Sequence, residues 1–356
     1  MKRNRTTVAL GLALLSAGAF TLARAAGIRS ARAGDDDDEK ITIKIATQAP
    51  KGTVWMNSLE TMAKEIKAKT NVELTFFAGG VMGDEGTIAR KIQQRTVGGG
   101  LFTGIGLGEI LPEVRILELP FFYENIAEID LAKKELEADM KKHFEEKGYV
   151  FLGWAEVGWA YIFSKEESKN LEDLKKRKIW LWSGDPLAEA TFKEFGLAGT
   201  PLSLADVLTS LETGMIDSVY NSPYGLIGLQ WHSKVKYMSR MTVGHGTGAL
   251  LIGKKEWDKI PAKKRDKITA ISRKFLDQLV TDIRQKNEDS IVELEKNGMK
   301  IVPIPDNEIE DYKKRGAAVA QAMAAPDEAT RQGKNLLYTQ EWLDRVKKIL
   351  ESARKK

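Results

Sequence analysis

One helical pattern runs unbroken from about residue 262 to 297 and stops at Gly298. At roughly 36 residues it is long for a helix of a globular protein. A helix longer than one lobe predicts an element that runs across two. Two β/α series precede it. In the first, Ile41, Ile43 and Ile45 alternate with Thr42 and Lys44, the period of a strand. Trp55, Leu59, Met62, Ala63 and Ile66 follow at helical spacing, and Val72, Leu74 and Phe76 alternate again. A helix near 86–97, an apolar strand near 101–107, a long helix near 126–147 and a strand at Tyr149–Leu152 complete this series. The pattern restarts after Trp154, with strands at 159–163, 178–182 and 218–220 and helices at 186–195 and 204–213. Strands at 237–243 and 247–252 lead into the long helix. A strand at Lys300–Ile304 and helices near 306–324 and 339–354 close the chain. This order predicts an α/β fold with a largely parallel sheet.

The first 33 residues have the build of a secretory signal: basic Lys2, Arg3 and Arg5, an apolar run from Val8 to Ala23, and small-x-small cleavage sites after about residue 25 or 33. An acidic linker, 34–40, follows. The signal also skews the charge. The chain carries 55 Lys+Arg against 50 Asp+Glu, and six of those basic residues lie in 1–33, where there is no acid. What remains is 49 basic residues against 50 acidic ones, so the basic balance belongs to the export segment and argues for no nucleic-acid partner. The chain has no cysteine, which excludes disulfides, thiolate metal sites and a cysteine nucleophile. No later stretch approaches a membrane span, so no membrane embedding is expected once the signal is removed.

Several motifs fail on inspection. The glycines of "TVGGGLFTGIGLGEI" never give G-x-G-x-x-G and sit within a strand; they predict a backbone that must approach something closely. "GALLIGKK" puts Lys255 where a P-loop needs a hydroxyl. His143, His232 and His245 have no metal-site spacing, and no G-x-S-x-G elbow exists. No metal, cofactor or enzymatic activity is expected.

What remains is a surplus of aromatics at strand ends. In "KIWLWSGDP", period two sends Ile179 and Leu181 to one face and Trp180 and Trp182 to the other, before a turn at Gly184, Asp185 and Pro186. "GWAEVGWAYIF" adds Trp154, Trp159 and Tyr161. Such aromatics belong either to the core or to the wall of a ligand cleft.

The stretches "ATQAPKGTVW" (46–55), "GGVMGDE" (79–85), "LPFFY" (119–123), "NLEDLKKRKIW" (170–180) and "LETGMIDSVYNSP" (211–223), in this order, form a pattern. In them the chain resembles the DctP-type extracytoplasmic solute-binding proteins of TRAP transporters. The resemblance implies a two-lobed periplasmic-binding-protein-like fold with crossing strands and a long lobe-spanning helix. It implies a periplasmic receptor, without cofactor, that closes on a small-molecule solute and delivers it to the membrane subunits of an ion-gradient-driven permease. With the two β/α series it gives a first lobe of 41–157 plus about 246–285. The second lobe is 158–245 plus about 286–356, with the C-terminal helices.

Relatives usually hold a solute carboxylate with an arginine in a K-I/V-R strand, a strong and directional pair. Here that place holds Trp180, and a second arginine place reads Gly158-Trp159-Ala160. Asn221 does match the family pattern. The expected ligand-binding set is therefore Trp180, Asn221, Trp159, Trp182, Gln48, Tyr161, Tyr224 and Glu85. The first expectation is an aromatic, cyclic or largely apolar solute stacked on tryptophan and oriented by Asn221 and Gln48. An ordinary organic acid held by Arg90, Arg95, Arg177 or glycine-rich backbone is the second, and a cation in an aromatic cage the third. A secreted α/β enzyme is the alternative from another class. On the first reading, Trp180→Ala abolishes ligand-induced stabilisation and leaves the apo melting point nearly unchanged.

Overall fold

A computed structural model describes residues 40–331 and 336–355. The expected export signal (1–33) and linker lie outside these residues, save Lys40, whose Nζ is 2.8 Å from Glu73. In chain order come β1 (Ile41–Thr47), α1 (Val54–Thr70), β2 (Val72–Phe77), α2 (Glu85–Gln93), β3 (Gly99–Thr103) and α3 (Gly104–Ile110). After a 3-10 turn (Pro112–Glu118) follow α4 (Ile126–Glu146), β4 (Tyr149–Ser164), α5 (Leu171–Leu174), β5 (Ile179–Trp182), α6 (Pro186–Phe195) and β6 (Gly199–Leu202). Next are α7 (Val207–Thr213), β7 (Ser218–Asn221), α8 (Pro223–Gly228), β8 (Tyr237–Gly253), α9 (Lys254–Trp257) and α10 (Ala262–Lys296). The chain ends with β9 (Lys300–Val302), α11 (Asp306–Ala322), β10 (Ala324–Ala325), α12 (Glu328–Arg331), β11 (Tyr338–Thr339) and α13 (Gln340–Arg354).

Local chemistry sets many of these boundaries. Asp84 caps α2 by accepting the Thr87 N–H, Asn125 caps α4, and Ser222 caps α8 just before Pro223. Asn71, in the left-handed region at φ 57°, ends α1.

The sheet is mixed, in the order β2-β1-β3-β8-β4-β7-β5-β6, with β9 also on β8. β1 pairs in parallel with β2 and β3, and β5 with β6 and β7. β8 and β4 run antiparallel to each other and join these two parallel sets. This differs from the sequence expectation in one informative way. The segments 149–152 and 159–163 are one strand, and so are 237–243 and 247–252. β4 stays paired with β8 by absorbing register shifts, among them one between Glu156 and Gly158. At Gly158 the backbone is left-handed (φ 103°), and a Cβ would lie 2.4 Å from the Asn287 amide, so glycine is required there.

β3 also ends earlier than the apolar run predicts, at Thr103. The Glu85 carboxylate accepts from the Thr103 N–H (2.8 Å), the Thr103 hydroxyl (2.7 Å) and the Gly106 N–H (2.8 Å). An anion at these donors favours a helix start over further strand.

The long helix is as expected. α10 gives Ile268, Ile271, Leu276, Leu279 and Ile283 to a core shared with Leu59, Met62 and Ile66 of α1. Further along it gives Leu294 to a core built on Phe163, Trp180, Val219 and Trp231. The expected boundary near 286 falls inside this helix. Of the C-terminal helices, α11 lies against α6, whereas α13 packs on α4, placing Leu343 and Val346 with Ile129 and Leu136.

Candidate functional site

A cavity of about 300 Å³ lies at the carboxyl ends of β1, β3, β5 and β7, where Thr47, Thr103, Trp182 and Asn221 reach its wall. This is where α/β sheets place ligands, because strand ends leave a crevice flanked by loops and helix N-termini. β4 and β8 cross its floor through Gly158, Ala160, Gly244 and Gly246. Glycines here keep the floor low.

The wall is mostly apolar. Phe121, Phe192, Phe195, Leu187, Met241 and Tyr312 line it, together with both tryptophans of β5. Phe121 rests 5.3 Å from Phe195 and 5.6 Å from Tyr312, centroid to centroid. Phe121 holds a left-handed backbone (φ 55°), a costly conformation for an aromatic residue, with its N–H donated to the Val243 carbonyl.

Alternation in β5 is as read from the sequence. Ile179 and Leu181 enter a small core with Leu174 and Phe192. Trp180 and Trp182 turn the other way, their rings 5.3 Å apart. The two are not equivalent. Trp180 is 1% exposed, stacked at 5.0 Å on Tyr220, edge-on to Trp231, and its indole N–H donates to the Leu202 carbonyl (3.1 Å). Trp182 is half-buried. Trp180 therefore touches the cavity but belongs to the core, which overturns the expectation that its removal spares the apo protein.

The cavity's charged groups are buried, and all but Glu85 are paired with one another. Arg115 in the 3-10 turn is its one Lys or Arg side chain among the described residues. Its two terminal nitrogens make a two-pronged bond to Asp185, Nη1 to Oδ1 at 2.9 Å and Nη2 to Oδ2 at 3.0 Å. Its Nε lies 2.8 Å from Glu118 Oε2. Burial opposes the arginine's charge, but the two carboxylates hold it protonated. Glu118 Oε1 also accepts from the Thr247 N–H at 2.6 Å. Burial pushes the Glu118 carboxyl up against the pull of Arg115, and pushes Glu85 up against its three donors. A Cβ on Gly104 would sit 2.1 Å from the Glu118 carboxyl group, so that carboxylate is what the glycine-rich backbone approaches.

A second buried group reaches the cavity through Glu156 and His245. Glu156 takes Arg284 (Nε to Oε1, 3.0 Å) and lies 3.2 Å from His245 Nε2 and 3.4 Å from Lys133 Nζ. Burial alone would raise the Glu156 carboxyl, but His245, Lys133 and Arg284 outweigh it and hold it well below the usual range. Burial lowers His245, assisted by the Lys133 charge and opposed by its bond to Glu156.

Of the residues singled out by sequence, the structure brings Trp180, Trp182, Asn221, Gln48 and Glu85 to the cavity. It does not bring Trp159, Tyr161 or Tyr224 there. β4 presents Gly158, Ala160 and Ile162 to the cavity; Trp159 packs beside His245 and Tyr161 beside the Phe163 core. Tyr224 faces α1, where its hydroxyl accepts from the Val54 N–H (2.8 Å) and its ring lies 4.8 Å from Trp55. Gln48 donates to the Gly83 carbonyl (2.7 Å), and Asn221 Oδ1 accepts from the Ser222 N–H (2.7 Å). Arg90, Arg95 and Arg177 do not line the cavity; Arg177 pairs with Glu166. The cation and carboxylate that sequence reading missed are Arg115 and Asp185, 70 residues apart.

Residues 45–327 match the family described as bacterial extracellular solute-binding protein, family 7, DctP. The chain belongs to that family. A solute-binding protein of Verminephrobacter eiseniae is 24% identical over 270 residues, which cover 74% of this chain and 78% of the relative. The 2,3-diketo-L-gulonate-binding periplasmic protein of Escherichia coli is 24% identical over 239 residues, covering 64% and 70%. A TRAP periplasmic solute-binding protein of Desulfovibrio salexigens, solved with bound orotic acid, superposes with a TM-score of 0.78 at 17% identity. That match covers 88% of this chain and 99% of that one. This DctP-family chain is thus a solute-binding protein with the two-lobed fold of its structural neighbours, and not an enzyme. No described helix is long and apolar enough to cross a membrane.

Proposed function

We propose that this receptor works in the periplasm, closes two lobes over a small solute with an aromatic or cyclic, largely apolar body, and delivers it to a TRAP permease. The first lobe is built on β1–β3 and the second on β5–β7, with β4 and β8 crossing between them and α10 alongside. Trp182 supplies the stacking face, Trp180 backs it, and Gln48 and Asn221 orient the solute's polar atoms. Glu85 shapes the site by holding the start of α3.

The observation that carries this reading is the charge balance of the cavity wall. A receptor that binds an acid through arginine needs a guanidinium with donors to spare. In this cavity both terminal nitrogens of Arg115 already bond Asp185 and its Nε lies beside Glu118, and apolar side chains, among them Phe121, Trp182 and Phe195, line most of the remaining wall. The relatives named above are described with acids, orotic acid and 2,3-diketo-L-gulonate. Orotic acid has a flat ring as well as a carboxylate, so an aromatic acid is the second reading, favoured by the Arg115 fork on the cavity wall.

Closure follows from contacts on both sides of the cavity. Arg115–Asp185 and Val54–Tyr224 each tie an element of the first lobe to one of the second. A solute shifts the balance toward a closed form only by its differential affinity for it. The test is a thermal-shift screen of the exported protein. Indole and benzamide are the uncharged rings, benzoate and orotate the aromatic acids, and succinate and malate the aliphatic acids. The proposal expects saturable stabilisation by the uncharged rings and little by succinate or malate. Micromolar binding of the aliphatic acids, with none of the rings, would refute it.

A further inference from the structure

We propose that Asp185 sets the receptor's solute class by occupying the place of a solute carboxylate on Arg115. The step rests on the reading above only in taking this cavity as the binding site. The two bonds from Arg115 to Asp185 are nearly equal, 2.9 and 3.0 Å, and parallel in pairing, Nη1 to Oδ1 and Nη2 to Oδ2. That is the fork geometry in which a guanidinium grips a free carboxylate. Both residues line the cavity, and each is at least nine-tenths buried. They come from opposite sides, Arg115 from the 3-10 turn after α3 and Asp185 from the cap of α6.

The fork is held independently of Asp185. Glu118 Oε2 lies 2.8 Å from Arg115 Nε as an ion pair, without the alignment of a hydrogen bond, and Glu118 is itself pinned by the Thr247 N–H over Gly104. Without Asp185 the two terminal nitrogens would keep their aim and lose their partner. Asp185 also has a local role, because Oδ1 accepts the Leu187 N–H at the start of α6. Serine is an equally good cap with a shorter side chain and no charge, so it vacates the fork while preserving the helix start.

In the full exported chain, Asp185→Ser is expected to gain a saturable rise in melting midpoint with sodium acetate. Its apparent affinity for acetate should be at least about tenfold tighter than the native protein's, with sodium chloride at equal ionic strength as control. Arg115→Gln added to Asp185→Ser should remove the gain. No acetate response in folded Asp185→Ser, or one that survives Arg115→Gln, overturns the proposal. If Asp185→Ser does not fold, Asp185→Asn keeps shape and cap, removes the charge and turns one acceptor oxygen into a donor, which breaks one prong of the fork. Its preference for benzoate over benzamide should then shift at least about tenfold toward benzoate relative to the native protein; no shift overturns the proposal. Acetate rescue does not depend on the natural solute, so its failure is distinct from failure of the aromatic-solute reading.

Discussion

Trp180→Ala and Trp182→Ala separate core from cavity wall. Trp180 is 1% exposed, and its ring is held by Tyr220, Trp182 and Trp231 at 5.0–5.3 Å. Truncating such a tryptophan costs roughly 3–5 kcal/mol. It also deprives the Leu202 carbonyl of its indole donor, which adds about 1 kcal/mol if water does not replace it. At an unfolding entropy of about 2 cal/mol/K per residue, a chain of this size loses roughly 1.5 °C per kcal/mol, so the apo midpoint should fall by about 5–9 °C. Trp182 is half-buried, and its main polar bond, from its backbone N–H to the Tyr220 hydroxyl, survives truncation. Trp182→Ala should cost the apo protein only about 1–2 kcal/mol. On the proposed reading its ring is the stacking face, and losing both stacking and apolar contact should weaken binding of an aromatic probe roughly tenfold to thirtyfold. Differential scanning fluorimetry without solute, followed by calorimetric titration with the best aromatic probe, reads both quantities. An apo midpoint within about 1 °C of native for Trp180→Ala would refute the core assignment. Unchanged affinity in Trp182→Ala would refute the stacking face.

Three further outcomes are expected. His245 is held below its ordinary value, so from about pH 6.5 downward the unfolded chain takes up a proton that the folded one refuses, and stability falls. Glu156 has a depressed carboxyl, so its contribution is present above about pH 4.5 and is lost below it. Glu85 and Glu118, both raised, oppose this loss by binding a proton more tightly when folded. Melts from pH 7.5 to 5.5 should therefore fall less steeply in His245→Gln than in the native protein; equal slopes would count against a buried neutral imidazole. Tyr224→Phe removes the hydroxyl that accepts the Val54 N–H, and should cost about 0.5–1.5 kcal/mol in urea melts and weaken binding of aromatic probes without touching the cavity wall. Gly104→Ala places a methyl 2.1 Å from the Glu118 carboxyl group and should cost roughly 1–3 kcal/mol, where an undisturbed melt would show that Glu118 can move aside.

The elements of the fold were legible because their signals are local. Alternation at Ile41–Ile45 and Ile179–Trp182 and helical spacing from Trp55 to Ile66 each lie within one element. The unity of β4 and of β8 was not legible. Their glycines interrupt the apolar pattern, and only the partner strand shows that pairing continues through the shifts. The turn from β3 into α3 was hidden for a similar reason, since it is imposed by Glu85, 18 residues upstream of Thr103. At the site, period two correctly separated the tryptophans of β5 from Ile179 and Leu181. It could not tell a core tryptophan from a wall tryptophan, because that depends on Tyr220 and Trp231. In β4 the cavity took Gly158, Ala160 and Ile162 and left the aromatic Trp159 and Tyr161 to packing. Asp185 before Pro186 carries the local mark of a helix cap. Nothing local in "LPEVRILELP" marks Arg115 as its partner, because the pair exists only once both sides of the cavity meet.

The crystal structure of the exported receptor with its co-purifying solute, or with the strongest ligand from the screen, tests the central claim most directly. The account predicts a ring or apolar body against Trp182, polar atoms near Gln48 and Asn221, and the Arg115–Asp185 fork intact. A solute carboxylate seated in that fork, with Asp185 turned away, would contradict it.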